Sequence, residues 1–189
     1  ANVAANIAGL GAKAILVGLI GNDVEGTVLS GLLSETNRVD ARIIADPDHV
    51  TTVKTRIVSG GHHVVRVDRE STTDIDLSYR SELVSSLDDA DLIVLSDYAK
   101  GVLSKATLAA IFAGHGHKTI VVDPKSNDLT RYYGASIITP NAKEATAATG
   151  LSGSLAAGMK ILDDHEFEAV LVTEGDRGMT LFQRDQTPI

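Results

Sequence analysis

Between Thr119 and Glu144, two short β-branched runs, Thr119-Ile-Val-Val-Asp123 and Ser136-Ile-Ile-Thr139, each stop at polar residues. Continuous apolar runs of this kind suit strands buried on both faces of a parallel sheet. In open parallel sheets the ligand lies beyond the carboxyl ends of the strands. Asp123, Lys125, Asn141 and Glu144 all fall at such ends. Pro140 stops the second strand, Asn141 suits the N-cap of a helix starting at Ala142, and Glu144 then sits three residues on, in a capping-box pattern. Capping alone accounts for this spacing. The functional reading puts a phosphate–metal cluster there, because the backbone N–H groups of a helix N-terminus favour anions.

The rest of the chain alternates in the same way. Ala1–Leu10 has helical spacing, with Gly9 and Gly11 as stops. Ala14–Ile20 reads as a buried strand ending in the turn Gly21-Asn22-Asp23, followed by a helix over Val24–Leu33. Later come helix Leu77–Leu87, buried strand Leu92–Leu95, helix Leu103–Phe112 with Ser104 as N-cap, helix Ala142–Thr149 closed by Gly150, and helix Ser154–Leu162. Strand Ala169–Thr173, a turn over Glu174–Gly178 and strand Met179–Phe182 follow. Such alternation predicts an α/β three-layer sandwich with a mainly parallel sheet.

One region breaks the rhythm. Val39–Ala45, Val50–Ser59 and His63–Asp68 alternate apolar and polar residues, which means half-exposed strands. Gly60-Gly61 between two of these runs is a hairpin signal. The expectation is one domain over 1–189 carrying an antiparallel ribbon at 39–69, a small β lid. Its apolar face needs cover, which a substrate or a dimer partner would supply.

Polar groups follow four successive strands: Asp97 and Lys100, Asp123 and Lys125, Asn141 and Glu144, Thr173 and Gly175. Any one is unremarkable, but a single crevice would collect them all. Carboxylates accept from sugar hydroxyls and lysines bind phosphate as point charges, so the set suits a phosphorylated polyhydroxy ligand. Thr173-Glu-Gly175-Asp-Arg-Gly178 is a Gly-punctuated turn that permits close backbone approach. It is neither a Walker loop nor a dinucleotide fingerprint. The six histidines match no zinc spacing, and no nucleophile-elbow Ser is present. With no cysteine, thiolate chemistry and disulfides are excluded. A formal net charge of −8 argues against a nucleic-acid surface. The apolar run at 14–20 is too short to span a bilayer, no signal peptide is visible, and a cytoplasmic protein is expected.

These residues resemble the ribokinase-like carbohydrate kinases. Asn2-x-Ala4-(six)-Gly11-(nine)-Gly21 fits the first signature of that family without the two glycines that normally precede it. Asn141-x-x-Glu144 is similar to its metal–phosphate motif, and Thr173-x-Gly175-x-x-Gly178 to its nucleotide turn. Leu95-Ser-Asp97-Tyr-Ala-Lys100-Gly101, Asp123-Pro-Lys125, Arg131-Tyr-Tyr-Gly134-Ala and Lys54-Thr-Arg56…Arg66-Val-Asp68 resemble the heptose-phosphate kinase branch. The resemblance runs along the whole chain. It implies ATP-dependent, Mg²⁺-assisted phosphorylation of D-glycero-β-D-manno-heptose 7-phosphate at O1. It also implies contacts from Asn2 to sugar hydroxyls, and from Arg56, Arg66, Asp97, Lys100 and Lys125 to substrate or phosphate. Asn141, Ala142, Lys143 and Glu144 would serve the ATP phosphates, Glu144 reaching Mg²⁺ through water. Thr173, Gly175 and Gly178 would line the nucleotide. A homodimer through the lid is expected.

The chain departs from the family at two points: the family's N-terminal strand with its substrate-binding Asp is missing, and so is its general base. The family's general base lies in an Asp-x-x-Gly-Ala-Gly-Asp motif, and no such sequence occurs here. Both ends read as interrupted elements, so a longer parent is expected, with the 189 residues alone inactive. In many bacteria the heptose kinase is fused to an adenylyltransferase domain. Alternatives are another sugar or nucleoside kinase of the family, or a non-catalytic sugar-phosphate or nucleotide module. A dinucleotide-binding protein is disfavoured by the missing fingerprint.

Overall fold

The computed structural model describes residues 2–189; the first residue of the expected first helix, Ala1, lies outside them. The chain forms two compact units, Ala1–Leu87 with Lys100–Val102, and Asp88–Ala99 with Leu103–Ile189.

In the first unit, helix α1 (Asn2–Gly9) precedes strand β1 (Ala14–Gly21), helix α2 (Val24–Ser34) and strand β2 (Val39–Asp46). β1 and β2 pair in parallel, from Ala14 opposite Val39 to Gly21 opposite Asp46. This differs from the expected ribbon: Val39–Asp46 belongs to the β1 sheet. Alternation reports half-exposure, and a parallel strand covered on one side shows it equally well. The antiparallel ribbon is confined to β3 (Val53–Ser59) and β4 (His62–Arg69), with a bulge between Ile57 and Val58. The Gly60-Gly61 turn has positive φ at both residues, as a two-residue hairpin of this hand requires. Helix α3 (Leu77–Ser85) closes the unit, capped by Asp76.

The end of β1 is tightly locked. Asp23 caps α2 by accepting from the Gly26 N–H at 2.8 Å, and accepts the Thr51 N–H at 3.0 Å. Thr51 is buried, and its hydroxyl accepts the Gly21 N–H at 2.9 Å. A Cβ on Gly26 would sit 2.5 Å from the Gly21 carbonyl oxygen, so the turn closes only around glycine.

The second unit holds β5 (Leu92–Ser96), α4 (Lys105–His115), β6 (Thr119–Asp123), β7 (Ile137–Ile138), α5 (Ala142–Thr149), α6 (Ser154–Asp164), β8 (Ala169–Thr173) and β9 (Met179–Gln183). The sheet runs β5-β6-β7-β8-β9, parallel except for β9. Ile120, Val122, Ile138, Val170 and Val172 are fully buried along its centre. Each contributes about 1.5–3 kcal/mol relative to exposure. β5, expected to be a buried strand, lies at one edge of this sheet. Ile93 and Leu95 are buried while Leu92 and Val94 remain exposed. The protein is thus an α/β fold with a mostly parallel sheet and a small antiparallel one. Among the described residues no helix is long and apolar enough to cross a membrane.

Candidate functional site

In the second unit the carboxyl ends of β6, β7 and β8 carry the expected polar residues. β7 is short, but the chain continues it through hydrogen bonds: Thr139 N–H to the Val122 carbonyl at 2.8 Å, and Thr173 N–H to the Pro140 carbonyl at 3.0 Å. A parallel bridge joins Asn141 to Thr173. Asn141 therefore leaves the sheet in a fixed direction and starts α5 as its N-cap. Its Oδ1 accepts the N–H groups of Lys143 and Glu144, both at 3.0 Å, and Glu144 Oε2 accepts the Asn141 N–H at 3.0 Å. The expected capping box is complete.

The other oxygen of Glu144 lies 3.5 Å from Lys125 Nζ, which is 57% exposed. With the lysine exposed and the separation long, such a pair contributes little to stability, ~0–1 kcal/mol, so Lys125 can turn to an incoming anion at small cost. Asp123, at the end of β6, titrates above the ordinary carboxylate value. Partial burial of its carboxyl is the main cause, followed by the nearby Glu144, with Lys125 pulling the other way and Asp97 adding to the rise. Its outer side stays exposed. Asp123, whose ionisation the neighbouring Glu144 disfavours, lies beside one lysine, and a carboxylate pair of this kind offers hard oxygen donors. Among the described residues no three ligating side chains converge. One or two carboxylates are what Mg²⁺ takes from a protein, the rest of its shell being water and substrate phosphate.

Beside the capping box lies an open groove of about 480 Å³ between the start of α5, the start of α6 and the turn after β8. Ala142 and Lys143 line it, as do Ser154, Glu174 and Arg177, which the sequence reading did not single out. Glu174 accepts from the Ser154 hydroxyl at 2.6 Å and lies 3.5 Å from Arg177. Gly175 and Gly178 both have positive φ, and a Cβ at either would meet nothing within 4 Å. Thr173 sits at the end of β8, tied to Asn141. Only the Gly-rich turn hinted at Glu174 and Arg177.

Asp97 takes an inward course. It is buried; Oδ1 accepts the Ala99 N–H at 2.7 Å and Oδ2 accepts the Tyr132 hydroxyl at 2.6 Å. It joins the β5 end to the segment after β6, where the sequence alone suggested a ligand contact. Tyr132 was not anticipated.

In the first unit, Arg56 and Arg66 stand opposite each other on the polar face of the ribbon. Lys54 binds Asp68 at 2.9 Å and Glu70 at 3.2 Å, and Lys100 pairs with Glu70. The Lys100 ammonium, then Lys54, hold Glu70 below its ordinary pKa. Lys100 is thereby engaged by a carboxylate that the sequence reading passed over. Asn2 opens α1 and is exposed.

The profile of the pfkB family carbohydrate kinases matches residues 1–188. The chain is 44% identical to the bifunctional protein HldE of Caulobacter vibrioides over 200 aligned positions, covering all of this chain and 41% of that protein. It is 38% identical to the HldE protein of Geobacter metallireducens, covering 97% of this chain and 40% of that one. The chain thus spans about two fifths of the curated relatives it matches. Phosphofructokinase-2 of Escherichia coli, in complex with potassium, shares the fold with a TM-score of 0.81 at 20% identity, over all of this chain and 64% of that one. Ribokinase of Arabidopsis thaliana, complexed with ribose and ATP, does so with a TM-score of 0.72 at 17% identity, over 100% and 64%. With its profile matched over nearly every residue and this fold, the chain belongs to the pfkB family of carbohydrate kinases.

Proposed function

We propose that the chain serves ATP-dependent phosphoryl transfer to a sugar phosphate, specifically to O1 of D-glycero-β-D-manno-heptose 7-phosphate, giving the 1,7-bisphosphate. The observation that carries this reading is the Asn141–Glu144 capping box beside Lys125 and Asp123 at the sheet's carboxyl end. The identity to proteins named HldE supports the heptose branch.

Each part has a role in this reading. The N–H groups at the start of α5, with Lys143, receive ATP phosphates; Lys143 is exposed on the groove wall. Thr173, Gly175 and Gly178 let the nucleotide approach the backbone. Glu144 would hold Mg²⁺ through water, and the ion would supply charge neutralisation at the phosphates. Lys125 adds a mobile positive charge. Arg56 and Arg66, with Asn2, address the phosphorylated sugar. Catalysis of this kind is positioning and electrostatics. The general base is proposed to come from outside these 189 residues, since none of them forms the family's Asp motif. The uncovered apolar face of the ribbon is proposed to pair with a second copy.

The test is ADP release from ATP across a panel of sugar phosphates, run on these 189 residues and on the natural full-length protein. Turnover by the full-length protein with heptose 7-phosphate ahead of ribose and fructose phosphates supports the reading. Absence of any sugar-dependent ADP release from the full-length protein overturns it.

A further inference from the structure

Tyr132 lies fully buried, yet its hydroxyl makes three hydrogen bonds. It donates to Asp97 Oδ2 at 2.6 Å and accepts the backbone N–H groups of Lys125 and Ser126, each at 3.3 Å. The Asp97 backbone N–H in turn donates to the Asp123 carbonyl at 3.0 Å. One phenol oxygen thus clamps the turn that leaves β6, and that turn carries Lys125 to within 3.5 Å of Glu144. Burial, then the Asp97 hydrogen bond, push the phenol up to about 12, so it stays protonated. Arg131 stacks over the Tyr132 ring at 5.6 Å and binds the Leu103 carbonyl at 2.8 Å, which fixes the ring from its other side.

We infer that Tyr132 is a positioning residue for phosphoryl transfer, holding the Lys125–Ser126 turn so that the Lys125 ammonium stays beside the Glu144 carboxylate. The inference rests on the proposed kinase reading for its consequence, but the clamp itself does not. Lys125 is exposed and weakly paired, so only its backbone can hold it near the site. Two amides sharing one buried acceptor give that hold without restricting the side chain. Loss of the hydroxyl leaves the two amides without this acceptor, and Asp97 without its closest donor.

The experiment uses the full-length protein and Tyr132→Phe, Lys125→Met and the double variant. Hydrogen exchange at the Lys125 and Ser126 amides reads the clamp without turnover. Faster exchange there in Y132F, with helix α5 unchanged, is expected; unchanged exchange overturns the inference. In kinetics, Y132F is expected to lower kcat roughly ten-fold with KM for the sugar phosphate held within about two-fold. The double variant should lose no more than K125M, since Tyr132 acts through Lys125. An equal further loss in the K125M background overturns it, as does a K125M variant with full kcat. If the wild-type protein shows no kinase turnover at all, the kinase reading fails while the exchange result still decides the clamp. Should Y132F not fold, Y132F/D97N removes the unpaired buried charge and is compared with D97N in the same assays.

Discussion

Arg56 stands directly across the ribbon from Arg66, and among the described residues Arg66 alone of the two has a carboxylate partner, Asp68 Oδ1 at 2.8 Å. Like charges in register oppose each other in a bare sheet. An anionic ligand converts that opposition into a binding asset. Arg56→Gln is therefore expected to leave the melting temperature unchanged or slightly higher, and to raise KM for a phosphorylated sugar about ten-fold, the worth of one charged hydrogen bond. Steady-state kinetics with calorimetry checks both halves. A falling melting temperature with unchanged KM would assign Arg56 to the fold.

Glu144 has two duties that one substitution can separate. Gln at this position keeps an oxygen for the Asn141 N–H, as capping boxes allow, and loses the charge. Glu144→Gln should melt close to wild type yet turn over at least about ten-fold more slowly, with sugar KM little changed. Asn141→Ala removes the cap itself and should cost about 1 kcal/mol of stability as well as turnover. Full turnover in both variants would remove this helix start from the site.

The raised pKa of Asp123 gives its stability effect a sign. A carboxyl that titrates higher in the folded state than in the unfolded one binds more protons when folded, between the two values. Stability is lost as pH rises through that window, and the loss persists above it. Asp123→Asn should thus be more stable than wild type at neutral pH, and the difference should shrink as pH falls below the carboxylate range. Denaturant melts at several pH values measure it; a difference that grows on acidification contradicts the assignment.

Gly158, on α6, faces the Phe182 ring of β9, where an added Cβ would lie 2.4 Å from the ring carbon Cε2. Overpacking of this kind costs about 1–3 kcal/mol. Gly158→Ala should lower the unfolding free energy by that amount, seen as a lower denaturation midpoint, and Phe182→Leu in the same chain should recover part of it. An unchanged midpoint for G158A would mean that the helix shifts freely on the sheet.

The ribbon leaves Ile57, Val65 and Val67 exposed, and β4 is exposed along its whole length. Light scattering of the full-length protein is expected to report a dimer, and Val67→Lys a monomer. A wild-type monomer sinks the pairing.

How far the sequence could be read depended on distance along the chain. The Asn141–Glu144 box, the Ser104 cap, the Gly150 stop and the Gly60-Gly61 turn are local, and all appear in the structure. Residues answering to distant partners were opaque. Thr51 is buried because it meets Gly21, thirty positions away. Asp97 turns inward because Tyr132, thirty-five positions on, waits for it. Lys100 is taken by Glu70 for the same kind of reason. A polar residue after a strand can face a ligand or a neighbour, and periodicity does not distinguish them. The partner of Val39–Asp46 was hidden likewise, because alternation describes a strand's faces and not its edges.

The bridge between Asn141 and Thr173, with the Thr173 N–H bound to the Pro140 carbonyl, joins two walls of the groove to one sheet. The start of α5 and the foot of the Gly-rich turn are therefore braced like the jaws of a fixed-gauge spanner. A ligand lying between them meets a width set by strand spacing and not by loop adjustment. If this groove takes the nucleotide, as proposed, selectivity there is expected to work by rejection of whatever is too broad. Retuning that width is then expected to need changed side chains on the two walls, because Asn141 and Thr173 are tied to each other through the sheet backbone.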